Sequence, residues 1–168
     1  MAKIIKIYNQ KVPALRFIGK KYYDKDRVNG TFQKQWSDWF EKGWFSKLES
    51  INDKASFDDS DAYIGLMRYK KDEPFEYWIG MFFPENTKVP EGFSYVEFNK
   101  SNLGVAWVYG KEHNCKEDQC LESLKQAGFT IIPDDKEAYW FFERYACPRF
   151  TKPDEEGNII LDICYFVE

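Results

Sequence analysis

The spacing of apolar residues predicts a chain that alternates strands and helices. Runs in which every second residue is apolar, typical of half-buried strands, are separated by polar turns rich in Gly, Pro and Asp. The predicted strands are 12–23, 62–69, 75–83, 93–98, 103–109, 138–146 and 159–167. In two other segments, 32–48 and 114–127, apolar residues recur three and four positions apart, which is typical of helices. The first of these helices carries a stripe of aromatic residues, and Gly128 ends the second.

The predicted elements follow the order strand, helix, strand, strand twice. The two half-repeats span about residues 12–83 and 93–167 of a single domain that covers residues 1–168. No sequence identity links the halves, so the repeat concerns element order alone. A duplicated unit of this kind predicts an α+β fold, with two main helices on one face of an antiparallel sheet and a ligand cleft at the pseudo-twofold between the halves.

The net charge and the hydropathy of the chain argue against two classes of function, nucleic-acid binding and membrane insertion. The chain has 24 Lys and Arg against 28 Asp and Glu, a formal charge of −4, whereas nucleic-acid binders carry a basic patch or a high pI. No apolar run approaches the ~20 residues that a membrane span needs, and the N-terminus lacks the pattern of a signal peptide. We therefore expect a soluble, cytoplasmic protein that makes no contact with DNA or a membrane.

The aromatic content is unusually high. The chain has 6 Trp, 11 Tyr and 15 Phe, which make up 19% of its residues. Aromatic side chains at this density build a large core or line a pocket for flat, apolar ligands, and Tyr and Trp add polar groups that suit the second role. The composition therefore favours a small-molecule ligand as the partner.

The cysteines and the single histidine do not form a motif for a metal or a cofactor. Cys115, Cys120, Cys147 and Cys164 contain no CxxC pair, and Cys115 and Cys120 fall on different faces of a helix. We expect reduced thiols, no metal and no cofactor. Histidine-based catalysis would have to use His113, which lies among charged residues beside a predicted helix start.

Glu143 is the main candidate for a functional residue. Alternation along strand 138–146 places Phe141, Glu143 and Tyr145 on one face and Arg144 on the other, where we expect it to be solvated. Burying a carboxylate among rings costs free energy without a partner. A cationic ligand would be such a partner, with the rings stacking on its flat body. The alternative is that Glu143 faces solvent or pairs with a Lys or Arg of its own chain.

Further side chains could line the same cleft, although each also fits an ordinary core. They are Trp36 and Trp39 from the aromatic helix, Tyr77, Ile79 and Met81 from strand 75–83, and Trp107 from strand 103–109. The sequence leaves open which strand face points into the cleft. The acidic runs 58–61, 134–135 and 154–156 are expected to be solvated loops.

Several segments, in this order, carry a likeness to a known family over nearly the whole chain. They are Lys11-Val12-Pro13-Ala14 running into Phe17-Ile18-Gly19, the helix with Trp36 to Phe40, Tyr63-Ile64-Gly65-Leu66, Pro90-Glu91-Gly92, Leu124 to Phe129, Glu143-Arg144-Tyr145 and Leu161-Asp162-Ile163. Their order and spacing resemble the GyrI-like small-molecule-binding family, the effector-binding domain of AraC- and MerR-type multidrug transcription regulators. Two features depart from that pattern: Phe166 stands where the closing strand often has a proline, and no helix-turn-helix segment is recognisable.

The resemblance implies a stand-alone sensor domain in which Glu143 and Tyr145 contact a lipophilic, cationic aromatic ligand. Two other classes of function stay open. The first is a hydrolase of electrophilic strained-ring compounds, as some members of the family look to be, with Glu143 as general base and Tyr145 as hydrogen-bond donor. The second is a gyrase-inhibitor-like module that binds a protein partner through its acidic loops. We expect a binding protein rather than an enzyme.

Overall fold

The computed structural model describes residues 2–111 and 117–168. His113 and Cys115 lie outside the described residues. The strands are β1 (Lys3–Val12), β2 (Leu15–Tyr23), β3 (Tyr63–Tyr69), β4 (Glu76–Pro84), β5 (Ser94–Phe98), β6 (Ser101–Gly110), β7 (Tyr139–Tyr145) and β8 (Ile159–Val167). The helices are α1 (Gln33–Glu41), α2 (Trp44–Glu49) and α3 (Glu117–Gln126), and a short 3-10 turn spans Asp24–Asp26. None of the helices in this part of the chain is long and apolar enough to cross a membrane.

The strands form one antiparallel sheet in the order β1-β6-β8-β7-β3-β4-β2-β5. The central pair is β3 and β7. On one side of it follow β4, β2 and β5, and on the other β8, β6 and β1. The predicted α+β class with an antiparallel sheet is therefore confirmed. The strand order on the two sides of the central pair is compatible with two equivalent units, but their duplication stays a prediction.

The elements differ from the predicted pattern in two places. Residues 3–12 form β1, for which the hydrophobic pattern gave no strand. This strand lies at the sheet edge, pairs only with β6 and is interrupted by a bulge between Ile4 and Lys6, so its burial does not alternate regularly. The single predicted helix 32–48 is two helices, α1 and α2, because Gly43 between them adopts a φ of 69°, which glycine accepts without strain.

The helices cover one face of the sheet. Apolar side chains of α1 and α2 pack on β2, β3 and β4, in the cluster that contains Trp39, Phe45 and Leu48. Helix α3 packs on β6 and β8 through Cys120 and Leu124. The central strand β7 therefore lies beneath the gap between α3 and the pair α1 and α2, which cover the same face of the sheet.

The other face of the sheet curls around its own core. Phe98 in β5 stacks on Phe166 in β8, with ring centroids 4.8 Å apart. These strands are five positions apart in the sheet, so a flat sheet would separate them by about 24 Å. The strong curvature closes this face into an interior lined by Phe17, Phe82 and Phe142.

Arg144 lies on this closed interior face, and the expectation that it is solvated is wrong. Its side chain is 1% exposed because the curled sheet encloses the face opposite Glu143. Its Nε donates to the fully buried Asp162 at 2.8 Å, and its terminal nitrogens donate to Gln10 at 2.8 Å and to the Tyr8 hydroxyl at 3.2 Å. A buried guanidinium needs such partners, since an unpaired buried charge costs several kcal/mol.

Arg149 and Asp59 extend this ion cluster. The Nε of Arg149 donates to Asp162 at 2.9 Å, and its terminal nitrogens donate to the two Asp59 oxygens at 3.1 and 2.7 Å. Burial opposes the charge on Arg149, but its hydrogen bonds to Asp162 and Asp59 outweigh this and raise its pKa above the ordinary value. Asp58 and Asp61 are exposed as expected, whereas Asp59 is mostly buried and paired, so the acidic run is only partly a solvated loop.

Candidate functional site

The site centres on Glu143 in β7, on the face that the helices cover. Glu143 lies opposite Gly65 of β3 and Ile163 of β8. Its side chain is buried, with 5% of the residue surface exposed. The alternation of β7 accounts for this placement, because Phe141 and Tyr145 also face the helical layer.

Two tyrosine hydroxyls hold the carboxylate. Tyr77 of β4 donates to Oε1 at 3.2 Å, and Tyr145 of β7 donates to Oε2 at 3.0 Å. The indole Nε1 of Trp36 in α1 donates in turn to the Tyr77 hydroxyl at 3.0 Å. Each carboxylate oxygen therefore accepts a hydrogen bond from a phenol, and the chain of donors fixes the orientation of the carboxylate.

Gly65 makes this arrangement possible. A Cβ at this position would lie 2.5 Å from the Tyr77 hydroxyl and 3.2 Å from Glu143 Oε1. No side chain fits at the first of these distances, so the phenol reaches the carboxylate only because residue 65 has none. Gly65 is thus needed for space beside Glu143.

Aromatic rings from both predicted halves enclose the carboxylate. Phe32 stacks on Tyr77 with ring centroids 4.3 Å apart. Trp36 meets Tyr145 edge to face at 4.9 Å, and Phe150 meets the same tyrosine at 4.7 Å. These rings lower the local dielectric, which strengthens any charge interaction that the carboxylate makes.

An open cleft of about 650 Å³ lies between α3 and the central strands, and Phe141 connects it to Glu143. Phe141 lines the cleft and stacks on Tyr165 at 5.1 Å. Glu143 is two residues further along the same face of β7, a separation of about 7 Å. The lining residues are Tyr69, Phe75, Asp118, Leu121, Lys125, Phe129, Thr130, Ile131, Tyr139, Phe141 and Tyr165. The volume is within the range of drug-sized ligand sites.

The structure brings five of the nine predicted site residues together. Glu143, Tyr145, Tyr77 and Trp36 form the hydrogen-bonded group, and Phe141 joins that group to the cleft.

The other four lie elsewhere. Trp39, Ile79 and Met81 are buried in the core under α1 and α2. Trp107 packs with the core on the opposite face of the sheet and donates to the Tyr8 hydroxyl at 3.3 Å. The spacing of an apolar side chain along a helix or strand does not reveal how far it lies from Glu143, so the sequence could not separate these four from the others.

Most of the cleft lining was missed by the sequence analysis. Tyr69 and Tyr139 pair across β3 and β7 and are both exposed at the mouth of the cleft. The alternation of Tyr139 with Phe141 along one strand is a signal that could have identified Tyr139. The pairing of β3 with β7, which brings Tyr69 beside it, is a long-range contact that one sequence does not reveal.

The described residues hold no group of three or more potential metal ligands. The site itself offers an oriented carboxylate, phenol hydroxyls and aromatic faces. Lys125 and Asp118 of α3 add one charge of each sign to the cleft lining.

No protein-family model matches the chain, and no curated protein matches its sequence. Solved structures do match its fold. A protein from Staphylococcus aureus described as a candidate bacterial transcription regulation protein has 17% identity and a TM-score of 0.62, over 98% of this chain and 99% of that chain. SAV2435 bound to tetraphenylphosphonium has 17% identity and a TM-score of 0.65, over 98% of this chain and 94% of that chain.

The C-terminal domain of EcmrR is a third similar structure, with 8% identity and a TM-score of 0.57 over 97% of each chain. At these identities the likeness concerns the fold alone. It supports the effector-domain architecture that the sequence resemblance implied, while membership of the GyrI-like family stays a prediction.

Proposed function

We propose that this protein binds lipophilic, cationic aromatic small molecules in the cleft, with Glu143 as the charge partner. The observation that carries the proposal is the buried carboxylate of Glu143, which two phenols hold at a position two residues along β7 from Phe141 of the cleft lining. A ligand cation adds Coulomb attraction in a site of low dielectric.

The cleft lining suits the rest of such a ligand. Stacked Phe141 and Tyr165, with the exposed faces of Tyr69 and Tyr139 at the mouth, offer rings for an aromatic body. Rings of this kind attract cations through their quadrupoles as well as by apolar contact. A site built mainly from rings selects charge and size more than detailed shape, so we expect several different aromatic cations to bind.

The structural comparison supports the choice of probe. The SAV2435 structure, which shares this fold, is described as bound to tetraphenylphosphonium, an aromatic cation without hydrogen-bond donors. For the present protein, we expect tetraphenylphosphonium to bind with a dissociation constant near 1 μM, which corresponds to about −8 kcal/mol.

The test compares a cation with a neutral analogue in matched variants. The wild type, Glu143→Gln and Glu155→Gln are titrated with tetraphenylphosphonium and with neutral triphenylphosphine oxide by isothermal calorimetry. Glu155 is an exposed carboxylate in the loop between β7 and β8, so its variant removes the same charge away from the cleft. At an effective dielectric constant of about 20, a cation roughly 6–10 Å from the carboxylate gains about 1.7–2.8 kcal/mol of Coulomb energy, so Glu143→Gln should weaken the cation about 10- to 100-fold.

The neutral analogue should bind the wild type and both variants alike, and Glu155→Gln should bind the cation like the wild type. Equal losses for the cation and the neutral analogue in Glu143→Gln would refute the charge role of Glu143. The hydrolase and protein-interaction alternatives stay predictions.

A further inference from the structure

A second cluster of charge and rings lies on the surface formed by β2, α2 and the segment before β5. We call it the basic patch, and it consists of Lys20, Lys42, Lys47, Trp44 and Phe93. The Lys20 ammonium lies 4.3 Å from the centroid of Trp44 and 4.6 Å from that of Phe93. Lys42 lies 5.1 Å from Trp44, and Lys47 lies 6.0 Å from Phe93. Three ammonium groups therefore lie near the same two aromatic rings.

The rings of the basic patch are backed by a buried side chain. Trp39, which is fully buried, meets Trp44 edge to face at 5.6 Å and Phe93 at 5.8 Å. Lys20 is anchored as well, because its ammonium donates to the Gly92 carbonyl at 2.7 Å. Packing and a hydrogen bond therefore hold the two rings and Lys20 in place. The patch shares no residue with the cleft beside Glu143.

Within the part of the chain that the structure describes, no salt bridge joins the three ammonium groups to a carboxylate, although Asp38, which pairs with Lys34, also attracts Lys42. Salt bridges of other lysines occur there, such as Lys34 with Asp38, but none involves Lys20, Lys42 or Lys47. Burial, followed by the charges of Lys42 and Lys47, lowers the pKa of Lys20 below its ordinary value. The ammonium groups therefore repel one another at close range.

This cluster of positive charges contrasts with the net charge of the whole chain, which is −4. By way of the shared rings, the Lys42 ammonium lies at most about 9 Å and the Lys47 ammonium at most about 11 Å from Lys20. These distances are close to the screening length of about 10 Å at 0.1 M salt, so part of the repulsion persists in solution. An anion with two or more charges would relieve it. Lysine ammonium groups, as compact charges with three donors each, suit phosphate oxygens.

We propose that the basic patch is a binding site for a phosphate-bearing anion. The oxygens would accept hydrogen bonds from Lys20, Lys42 and Lys47, while Trp44 and Phe93 flank the anion and limit competing water. The same chemistry is offered by soluble polyphosphates and by the headgroups of anionic lipids, and the experiment separates these sources.

The experiment titrates the full chain with inorganic pyrophosphate by isothermal calorimetry at constant low ionic strength. Variants Lys20→Met, Lys42→Met and Lys47→Met keep the length of the side chain and remove the charge. Lys100→Met and Lys136→Met remove the same charge from exposed positions outside the patch. We expect one bound pyrophosphate per chain, with affinity at least about fivefold weaker in each patch variant and unchanged in the two controls.

A parallel arm measures sedimentation with vesicles of phosphatidylglycerol and phosphatidylcholine in equal parts, and with phosphatidylcholine alone. If the protein binds the anionic vesicles more strongly than pyrophosphate, and this binding requires the patch lysines, the site is supported and its phosphate-bearing anion is a lipid headgroup. The proposal is overturned if neither probe binds, or if the control lysines weaken binding as much as the patch lysines. Lys42 and Lys47 are exposed, so their variants keep the test decisive even if Lys20→Met does not fold.

Discussion

Replacing Gly65 by alanine should break the contact between Tyr77 and Glu143. The new methyl group would lie 2.5 Å from the Tyr77 hydroxyl, which forces the phenol or the strand to move. Overpacking of this kind costs about 1–3 kcal/mol. The lost hydrogen bond to a charged group costs about 1.5–3 kcal/mol. Alanine recovers roughly 0.5–1 kcal/mol through lower entropy of the unfolded chain, so the free energy of unfolding should fall by about 1.5–5.5 kcal/mol.

Tyr77→Phe tests the reason for this loss. It removes the hydroxyl that the methyl group meets and leaves the ring carbon at 3.2 Å, a distance that small shifts relieve. In the Tyr77→Phe background, Gly65→Ala should therefore cost less than about 1 kcal/mol. The double-mutant cycle should give a coupling free energy of about 2 kcal/mol.

Urea unfolding followed by tryptophan fluorescence measures all four proteins of the cycle. Gly104→Ala is the matched control, since its methyl group meets Leu124 and Val167 at 3.1 Å and no part of Tyr77. The costs of Gly104→Ala and Tyr77→Phe should be additive within about 0.5 kcal/mol. If Gly65→Ala and Tyr77→Phe are equally additive, then Gly65 does not make space for the phenol, and the account of the site given above is wrong.

Three further predictions concern Asp162, Asp134 and Cys164. Asp162→Asn should lower the free energy of unfolding by about 3–5 kcal/mol, measured by urea titration, because the buried guanidinium of Arg144 and the partly exposed one of Arg149 lose their shared carboxylate. Burial raises the pKa of Asp134, but hydrogen bonds from the Trp140 indole and two backbone amides outweigh it, so the net pKa is lowered. The stability that these hydrogen bonds contribute is present above the pKa of the unfolded chain and is lost as the pH falls through the lower folded pKa. Asp134→Asn should therefore make the free energy of unfolding, measured with urea, depend less on pH below about pH 4. Burial raises the pKa of the Cys164 thiol to about 12. Iodoacetamide at pH 8 should therefore modify the exposed Cys147 and leave Cys164 intact until urea is added. Peptide mass spectrometry measures the modification of each cysteine. Alkylation of native Cys164 at the rate of Cys147 would contradict its burial.

The sequence predicted most elements because their apolar runs are bounded by polar turns rich in Gly, Pro and Asp. The strand predicted over 159–167 coincides with β8, whose neighbours on both sides keep it buried along its length. β1 was missed because an edge strand with a bulge has one neighbour and an irregular pattern of exposure. The break at Gly43 was also missed, since the aromatic stripe continues with nearly helical spacing across it.

The candidate site was harder to predict because it depends on contacts between distant residues. The local alternation of β7 was enough to place Glu143, Phe141 and Tyr145 on one face. The roles of Gly65 and Tyr77 required the pairings of β3 with β7 and with β4, which join residues up to 82 positions apart in sequence. Arg144 was misjudged for a similar reason, because only the curvature of the sheet shows that its face is closed.

The two adjacent charges of β7 also bear on how the site is maintained. Glu143 and Arg144 are both buried, and they face opposite sides of the sheet. A slip of β7 by one residue would exchange their faces. The guanidinium would then meet the rings of the helical layer, and the carboxylate would lie beside Asp162, leaving both charges without suitable partners. Breaking a buried pair in this way costs about 3–5 kcal/mol, so the Arg144–Asp162 pair opposes every register except the one that directs Glu143 toward Tyr77 and Tyr145.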